Sequence, residues 1–196
     1  MLHPDTELRF INNVIGYGVV ATKLIPKGTI TWVQDDLDKV YTAADIQKLN
    51  PLVLDYLDKY SFTNAKGQQV LCWDNAKFVN HSFRPSCMST AYDFEIAIRD
   101  ILPGEQLTDD YGYLNVAEPF EAEDEGTERK VVYPDDILRY YEEWDKLITD
   151  NFEAIADVKQ PLQKFVLPQN WDAFSDAMAG RTALRSIKTC YYDHKI

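Results

Sequence analysis

The chain has 196 residues, 45% of them hydrophobic and 13% aromatic, and a formal net charge of −12 at pH 7. That apolar content excludes a disordered chain, and the length is enough for one domain with its own core plus an extension. The acidic excess excludes nucleic acid as a direct partner, because phosphate binding needs clustered Lys and Arg; it suits a basic protein or peptide.

The opening stretch MLHPDTELRF has no apolar signal core, and no later run approaches the roughly 20 apolar residues of a membrane span. Cysteines stand only at 72, 87 and 190, with no metal-ligand spacing, so neither a disulfide framework nor a metal site is expected. These features predict a soluble protein of a reducing intracellular compartment, cytoplasmic or nuclear. Gly16-Tyr17-Gly18 precedes the apolar Val19-Val20-Ala21, and Ile25-Pro26-Lys27-Gly28-Thr29-Ile30 places a turn between two short strands, which predicts a hairpin. Thr42-Ala43-Ala44-Asp45 reads as a capping box opening a helix through Ile46 and Leu49. Pro51 starts a second helix carrying Leu54, Leu57 and Tyr60. Lys66-Gly67 then turns a hairpin whose second strand is Val70 to Trp73.

The alternating run Ala91 to Ile98, with Tyr92, Phe94 and Ile96 on one face, predicts a strand. A turn at Pro103-Gly104 and a short strand into Tyr111 follow, so Asn80-His81 and Tyr111-Gly112-Tyr113 fold back towards each other. If the latter segment is extended, Tyr111 and Tyr113 point to one side. Glu118 to Glu128 reads as an exposed, charge-rich linker. Beyond it Pro134 fits a first helical position, and Ile137, Tyr140 or Tyr141, Trp144, Ile148 and Ile155 recur at helical spacing. A second helical segment begins near Pro168, carries Trp171, Phe174 and Met178, and ends at Gly180.

Three stretches, IGYGVVATKLIPKGTI from Ile15, NHSFRPSC from Asn80 and PGEQLTDDYGY ending at Tyr113, together resemble the SET domain of protein-lysine methyltransferases. The resemblance implies a mixed, β-rich α+β fold of the β-clip type with a pseudoknot crossing over residues 1–115. Residues 42–79 would be its variable insert, 116–132 an acidic linker and 133–196 a helical C-terminal extension that packs on the domain or makes a homodimer. It also implies S-adenosylmethionine as cofactor and the ε-amine of a lysine in a protein, histone or other, as methyl acceptor. By the same resemblance Gly16, Tyr17 and Gly18 lie against the methionine part of the cofactor, and Asn80 and His81 meet it. Tyr111 is then the catalytic tyrosine and Tyr113 a wall of the lysine channel. Phe120 and Tyr133 are the nearest aromatic candidates to cover the adenine. Asp109, two before the catalytic tyrosine, and Ser89 stand where aromatic residues often set the channel end, so addition is expected not to stop at one methyl. Phe83 replaces the cysteine of zinc-bearing members and the tail supplies only Cys190, so no accessory zinc site is expected. Ser86 stands where asparagine is usual and is expected to lose a hydrogen bond to the crossing loop. The alternative is a non-catalytic module of the same fold that binds basic peptides.

Overall fold

The computed structural model describes residues 1–194. Strands β1 (Thr6–Asn12) and β2 (Gly16–Ala21) form an antiparallel hairpin. Its turn is built by Asn12, whose side-chain oxygen accepts from the backbone N–H groups of Val14 and Ile15, each at 2.8 Å. Gly16 leaves that turn at φ +81°, a conformation that suits glycine. The hairpin expected across Pro26-Lys27-Gly28 is therefore not the one that forms. The turn itself exists, with Thr29 N donating to Pro26 O at 3.1 Å, but it leads into β3 (Ile30–Val33), which leaves β2 behind. All four residues of β3 are buried, and a strand covered on both faces needs an interior partner rather than a hairpin mate.

β4 (Lys39–Tyr41) precedes α1 (Ala43–Ile46), which opens on the expected capping box of Thr42 and Asp45. In α2 (Pro51–Tyr60) Pro51 takes the first position, and the Asn50 side chain caps Val53 N at 3.1 Å. β5 (Ser61–Thr63) and β6 (Gln69–Leu71) complete a sheet ordered β4-β6-β5. After β7 (Asn80–His81) and β8 (Cys87–Ser89) comes β9 (Phe94–Ala97), the partner of both β3 and β8. The strand expected from Ala91 begins three residues later, because Thr90 Oγ donates to Phe94 O at 2.7 Å and Asp93 turns at φ 62°. β10 (Thr108–Asp109) pairs parallel with β7, Thr108 opposite Asn80 and Asp109 opposite His81. That pair brings the two polar ends together, as the fold-back of the chain required.

The acidic stretch is not a bare linker: β11 (Phe120–Glu121) and β12 (Val131–Val132) pair within it as a hairpin. α3 (Asp136–Thr149), α4 (Phe152–Asp157) and α5 (Pro168–Met178) follow. α3 starts two residues past Pro134, where the Asp136 carboxylate accepts from Tyr133 N at 3.1 Å. Pro168 opens α5 as expected.

One core joins both ends of the chain. Ile30, Met88, Phe94 and Ile96 of the β3-β9-β8 sheet pack with Trp144 and Ile148 of α3, Ile155 of α4 and Phe174 of α5. Each such side chain contributes roughly 1.5–3 kcal/mol by leaving water, so the apolar stripe of the extension is used within the chain. The contact is also polar. Gln160 donates to Gly28 O at 2.7 Å and accepts from Ile30 N at 2.8 Å, serving the open edge of β3 with a side-chain amide. A second, smaller core of Val19, Ala21, Ile25, Ala97, Ile101 and Leu107 lies under β2. No described helix is long and apolar enough to cross a membrane.

Candidate functional site

The parallel β7–β10 pair is the frame of the site. Two backbone bonds extend it, Ser82 N to Asp109 O at 2.9 Å and Ser86 N to Thr108 O at 3.1 Å. Ser86 is fully buried, and its hydroxyl accepts from Thr108 N at 2.9 Å while donating to Gln106 O at 3.2 Å. The hydrogen bond expected to be lost at Ser86 is thus made, because the loop lies close enough for a short side chain.

On this frame the Asn80 amide donates to Tyr17 O at 3.1 Å and to Gln106 Oε1 at 3.0 Å. Gly18 lies directly beneath: a Cβ there would sit 2.4 Å from Gln106 Oε1 and 2.7 Å from Asn80 Nδ2. His81 accepts from Tyr111 N at Nδ1, at 3.1 Å. Burial holds its pKa below the usual imidazole value, with Arg129 adding to this against the opposing charges of Asp110 and Glu125. The ring is therefore neutral and carries its proton on Nε2, a buried N–H without a partner in the protein. Phe83 and Phe120 stand edge-on to the ring at 4.4 and 5.6 Å.

Tyr111, Gly112 and Tyr113 form a short 3-10 turn capped by Asp110, whose Oδ1 accepts from Gly112 N at 2.9 Å. This corrects the extended geometry expected for the two tyrosines. At about 120° per residue, rings two apart diverge instead of sharing a side. Tyr113 points into the core, edge-on to Trp144 at 5.3 Å, and its hydroxyl donates to Asp109 Oδ1 at 2.9 Å. Tyr111 donates its hydroxyl to Val79 O at 2.5 Å. Burial, then the charges of Asp109 and Glu95, push this phenol well above its usual pKa, so it stays protonated.

Of two cavities, Tyr111 is the one described residue that lines both. The first, about 490 Å³, is bounded by Trp32, Tyr60, Phe62, Glu95 and Asp109 among others. The second, about 570 Å³, is bounded by Ile15, Asn80, His81, Gln106 and Phe120 among others. Of the expected cofactor residues, Asn80, His81 and Phe120 share the second cavity. Gly16, Tyr17 and Gly18 are not among its lining residues; the Tyr17 carbonyl accepts from Asn80, and Gly18 leaves room for Asn80 and Gln106. Tyr133 lines neither cavity; it is half exposed beneath Arg139, 5.0 Å from its ring. Of the expected channel residues, Asp109 lines the first cavity, whereas Tyr113 and Ser89 do not. Ser89 instead donates to Glu95 Oε1 at 3.0 Å.

Three contributors were not singled out in the sequence. Glu125 accepts from Ser82 Oγ at 3.0 Å and Phe83 N at 2.8 Å, folding the acidic stretch over the second cavity. Arg129 pairs with buried Asp110 and, at 2.6 Å, with buried Asp136, stacking 4.6 Å from the Phe83 ring. Glu95 lies on β9 opposite Trp32 of β3. Its one signal was an acid inside an otherwise apolar strand.

The second cavity fits S-adenosylmethionine. The buried, unpartnered His81 Nε2–H would serve an acceptor of such a ligand, the Asn80 side-chain oxygen would accept from its amino groups, and Phe120 offers a ring face. The model of one family, the SET domain, matches residues 16–112. No curated protein matches the chain.

Proposed function

We propose, from the premise that this chain belongs to the SET-domain family, that it is a protein-lysine N-methyltransferase acting on a basic protein substrate. The observation that carries the reading is the position of Tyr111 on the wall shared by the two cavities, one of cofactor size and one open to a side chain. The parallel β7–β10 pair is on this reading the knot-like crossing of the fold.

Asn80, His81 and Phe120 hold S-adenosylmethionine, which when bound supplies an electrophilic methyl group on a positively charged sulfur. The chain's own residues do the rest. Phe62, Tyr60 and Trp32 give the first cavity aromatic walls, which accept a lysine stem and tolerate its cation on their ring faces. Only the uncharged amine attacks, and neutralising a lysine at pH 7 costs roughly 4–5 kcal/mol from its ordinary pKa of about 10.4. Burial in the cavity lowers that cost by disfavouring the charged form. The Tyr111 hydroxyl, its proton committed to Val79 O, orients the reacting groups with its lone pairs and does not act as a base. Holding amine and methyl carbon in line converts a two-body encounter into a single bound geometry. The net charge of −12 favours encounter with a basic substrate.

The test is methyl transfer from labelled cofactor into a basic proteome extract, with the modified lysines read by mass spectrometry, for wild type and Tyr111→Phe. The expected result is lysine labelling that falls by about 100-fold or more in the variant, as for loss of one preorganised hydroxyl. Calorimetric affinity for the cofactor stays within a few-fold of wild type. Unchanged transfer by Tyr111→Phe overturns the assignment of Tyr111, and absence of cofactor binding by wild type favours the non-catalytic module.

A further inference from the structure

The first cavity contains a feature that methyl transfer by itself does not require. Glu95 and Asp109, both almost fully buried, line it together with Tyr111. Each carboxyl group is anchored by a hydroxyl, Ser89 Oγ on Glu95 at 3.0 Å and Tyr113 Oη on Asp109 at 2.9 Å, and the two acids influence each other's protonation. Across the β3–β9 ladder from Glu95 stands Trp32, 6% exposed and lining the same cavity, whose indole N–H has no partner. Buried donors are rarely left unpaired, and this one belongs to a residue on the cavity lining.

Resting on the methyltransferase reading, we propose that Glu95 and Asp109 are catalytic residues that accept the proton of the incoming lysine, so that the acceptor arrives as a cation and is neutralised inside the cavity. An N–H bond of the ε-ammonium breaks, its electron pair stays on nitrogen, and an O–H bond forms on Asp109. The pair goes from one proton and one negative charge to two protons and none. The proton leaves to solvent water before the next turnover.

The electrostatics agree. Burial, followed by the charge of Asp109, raises Glu95 well above the usual carboxyl range, and burial pushes Asp109 up to about 6. Burial thus shifts both groups towards holding a proton, and two buried carboxylates side by side disfavour the doubly charged pair. Asp58 and Glu118 also line the cavity. Burial raises the thiols of Cys72 and Cys87 and the phenols of Tyr111 and Tyr113, keeping all four neutral. Asp110 is paired with Arg129, and the Met1 amine lies 2.9 Å from Asp35. Asp38, raised by burial, and Asp74 act on Cys72 rather than on the pair. Lys59 and Lys77, also on the cavity lining, lie 5.3 and 5.6 Å from the rings of Tyr60 and Phe78. Taking an ammonium and a carboxylate out of water pushes their pKa values towards each other, and proton transfer becomes easier where this outweighs their mutual attraction.

The experiment compares wild type, Glu95→Gln and Asp109→Asn by initial rate against pH. The acceptors are two forms of the peptide around the lysine found by mass spectrometry, one with lysine and one with thialysine, whose amine is less basic. Asp109→Asn is expected to lose the flat neutral region and climb about tenfold per pH unit. Thialysine is expected to rescue it by a larger factor than it raises the wild-type rate. Circular dichroism and cofactor calorimetry establish that each variant is folded; Asp109→Ser carries the same test if Asp109→Asn is not. Infrared spectra give a readout without turnover: a protonated carboxyl band at neutral pH that disappears in Glu95→Gln. A rate lowered by one factor at every pH, with no preferential rescue, overturns the proposal, as does absence of that band. If wild type transfers no methyl at all, the methyltransferase reading falls and takes this inference with it. If wild type transfers and the Asp109 variants keep its profile, this inference alone falls.

Discussion

At position 18 a glycine is required by two other side chains. Gln106 Oε1 and Asn80 Nδ2 occupy the space of its missing Cβ, at 2.4 and 2.7 Å. Gly18→Ala should therefore displace the Asn80 amide and weaken cofactor binding by about tenfold or more, roughly 1.4 kcal/mol. Calorimetric titration measures this, alongside a thermal melt that moves little because both displaced groups are ends of flexible side chains. Glu95 yields a prediction of a different kind. Its carboxyl keeps its proton in the folded state above the pH at which the unfolded chain, with an ordinary value of 4.5, releases it. The folded state then binds more protons, so stability is fully present below that unfolded value and is lost as pH rises towards the raised native one. Glu95→Gln has no such proton, and its urea midpoint relative to wild type should grow as pH goes from about 5 to about 8. A constant difference would mean that Glu95 titrates normally. At this scale Asn80, His81 and Tyr111 were legible because an amide, an imidazole and a phenol have chemistry visible in their letters. Val79 was not, since what it contributes is a carbonyl that any residue carries. Tyr113 was misplaced because its side depends on a backbone turn that only the Asp110 cap dictates.

Among the elements, the acidic stretch after Asn115 departs furthest from its sequence reading. Its charge density argued for solvent, yet Phe120, Glu125 and Arg129 hold it over the second cavity. What composition concealed is that Arg129 neutralises Asp110 and Asp136, which are 2% and 1% exposed. Burial alone would lower the Arg129 pKa, but these two carboxylates outweigh it and raise the value. Arg129→Ala strands two carboxylates out of water, and breaking a buried ion pair on one side costs about 3–5 kcal/mol. Urea unfolding should show a loss of that size. Arg129→Lys should recover part of it, because an ammonium keeps the charge but not the planar fork that reaches both acids. Helices were more legible than strands for a related reason. The capping box at Thr42 and the prolines at 51 and 168 act within a few residues of themselves, whereas β3 and β9 find each other across more than 60 positions.

For the whole molecule, the question is whether the helical extension is a passenger. Its periodicity was readable, but the surface that it covers was not, because an amphipathic stripe does not name its partner. In the structure that partner is the domain itself. Trp144, Ile148, Ile155 and Phe174 complete the core begun by Ile30, Met88, Phe94 and Ile96, and Gln160 hydrogen-bonds Gly28 O and Ile30 N where β3 begins. Asn115 draws the same ends together: its buried amide donates to Thr63 O at 3.0 Å and Cys190 O at 2.8 Å and accepts from Tyr192 N at 2.9 Å. Removing residues 133 onwards would expose one face of the β3-β9-β8 sheet, which carries the acid pair through Glu95, and would delete Asp136 from beside Arg129. The fragment 1–132 should therefore lack a cooperative thermal transition and bind no cofactor. Gln160→Ala in the intact chain should lower stability by about 1–3 kcal/mol, the cost of leaving buried backbone groups unpaired, while keeping cofactor affinity. A fragment 1–132 that melts cooperatively and titrates with cofactor would show that the sheet closes without the helices, and that the shared core is a contact between two independently stable parts.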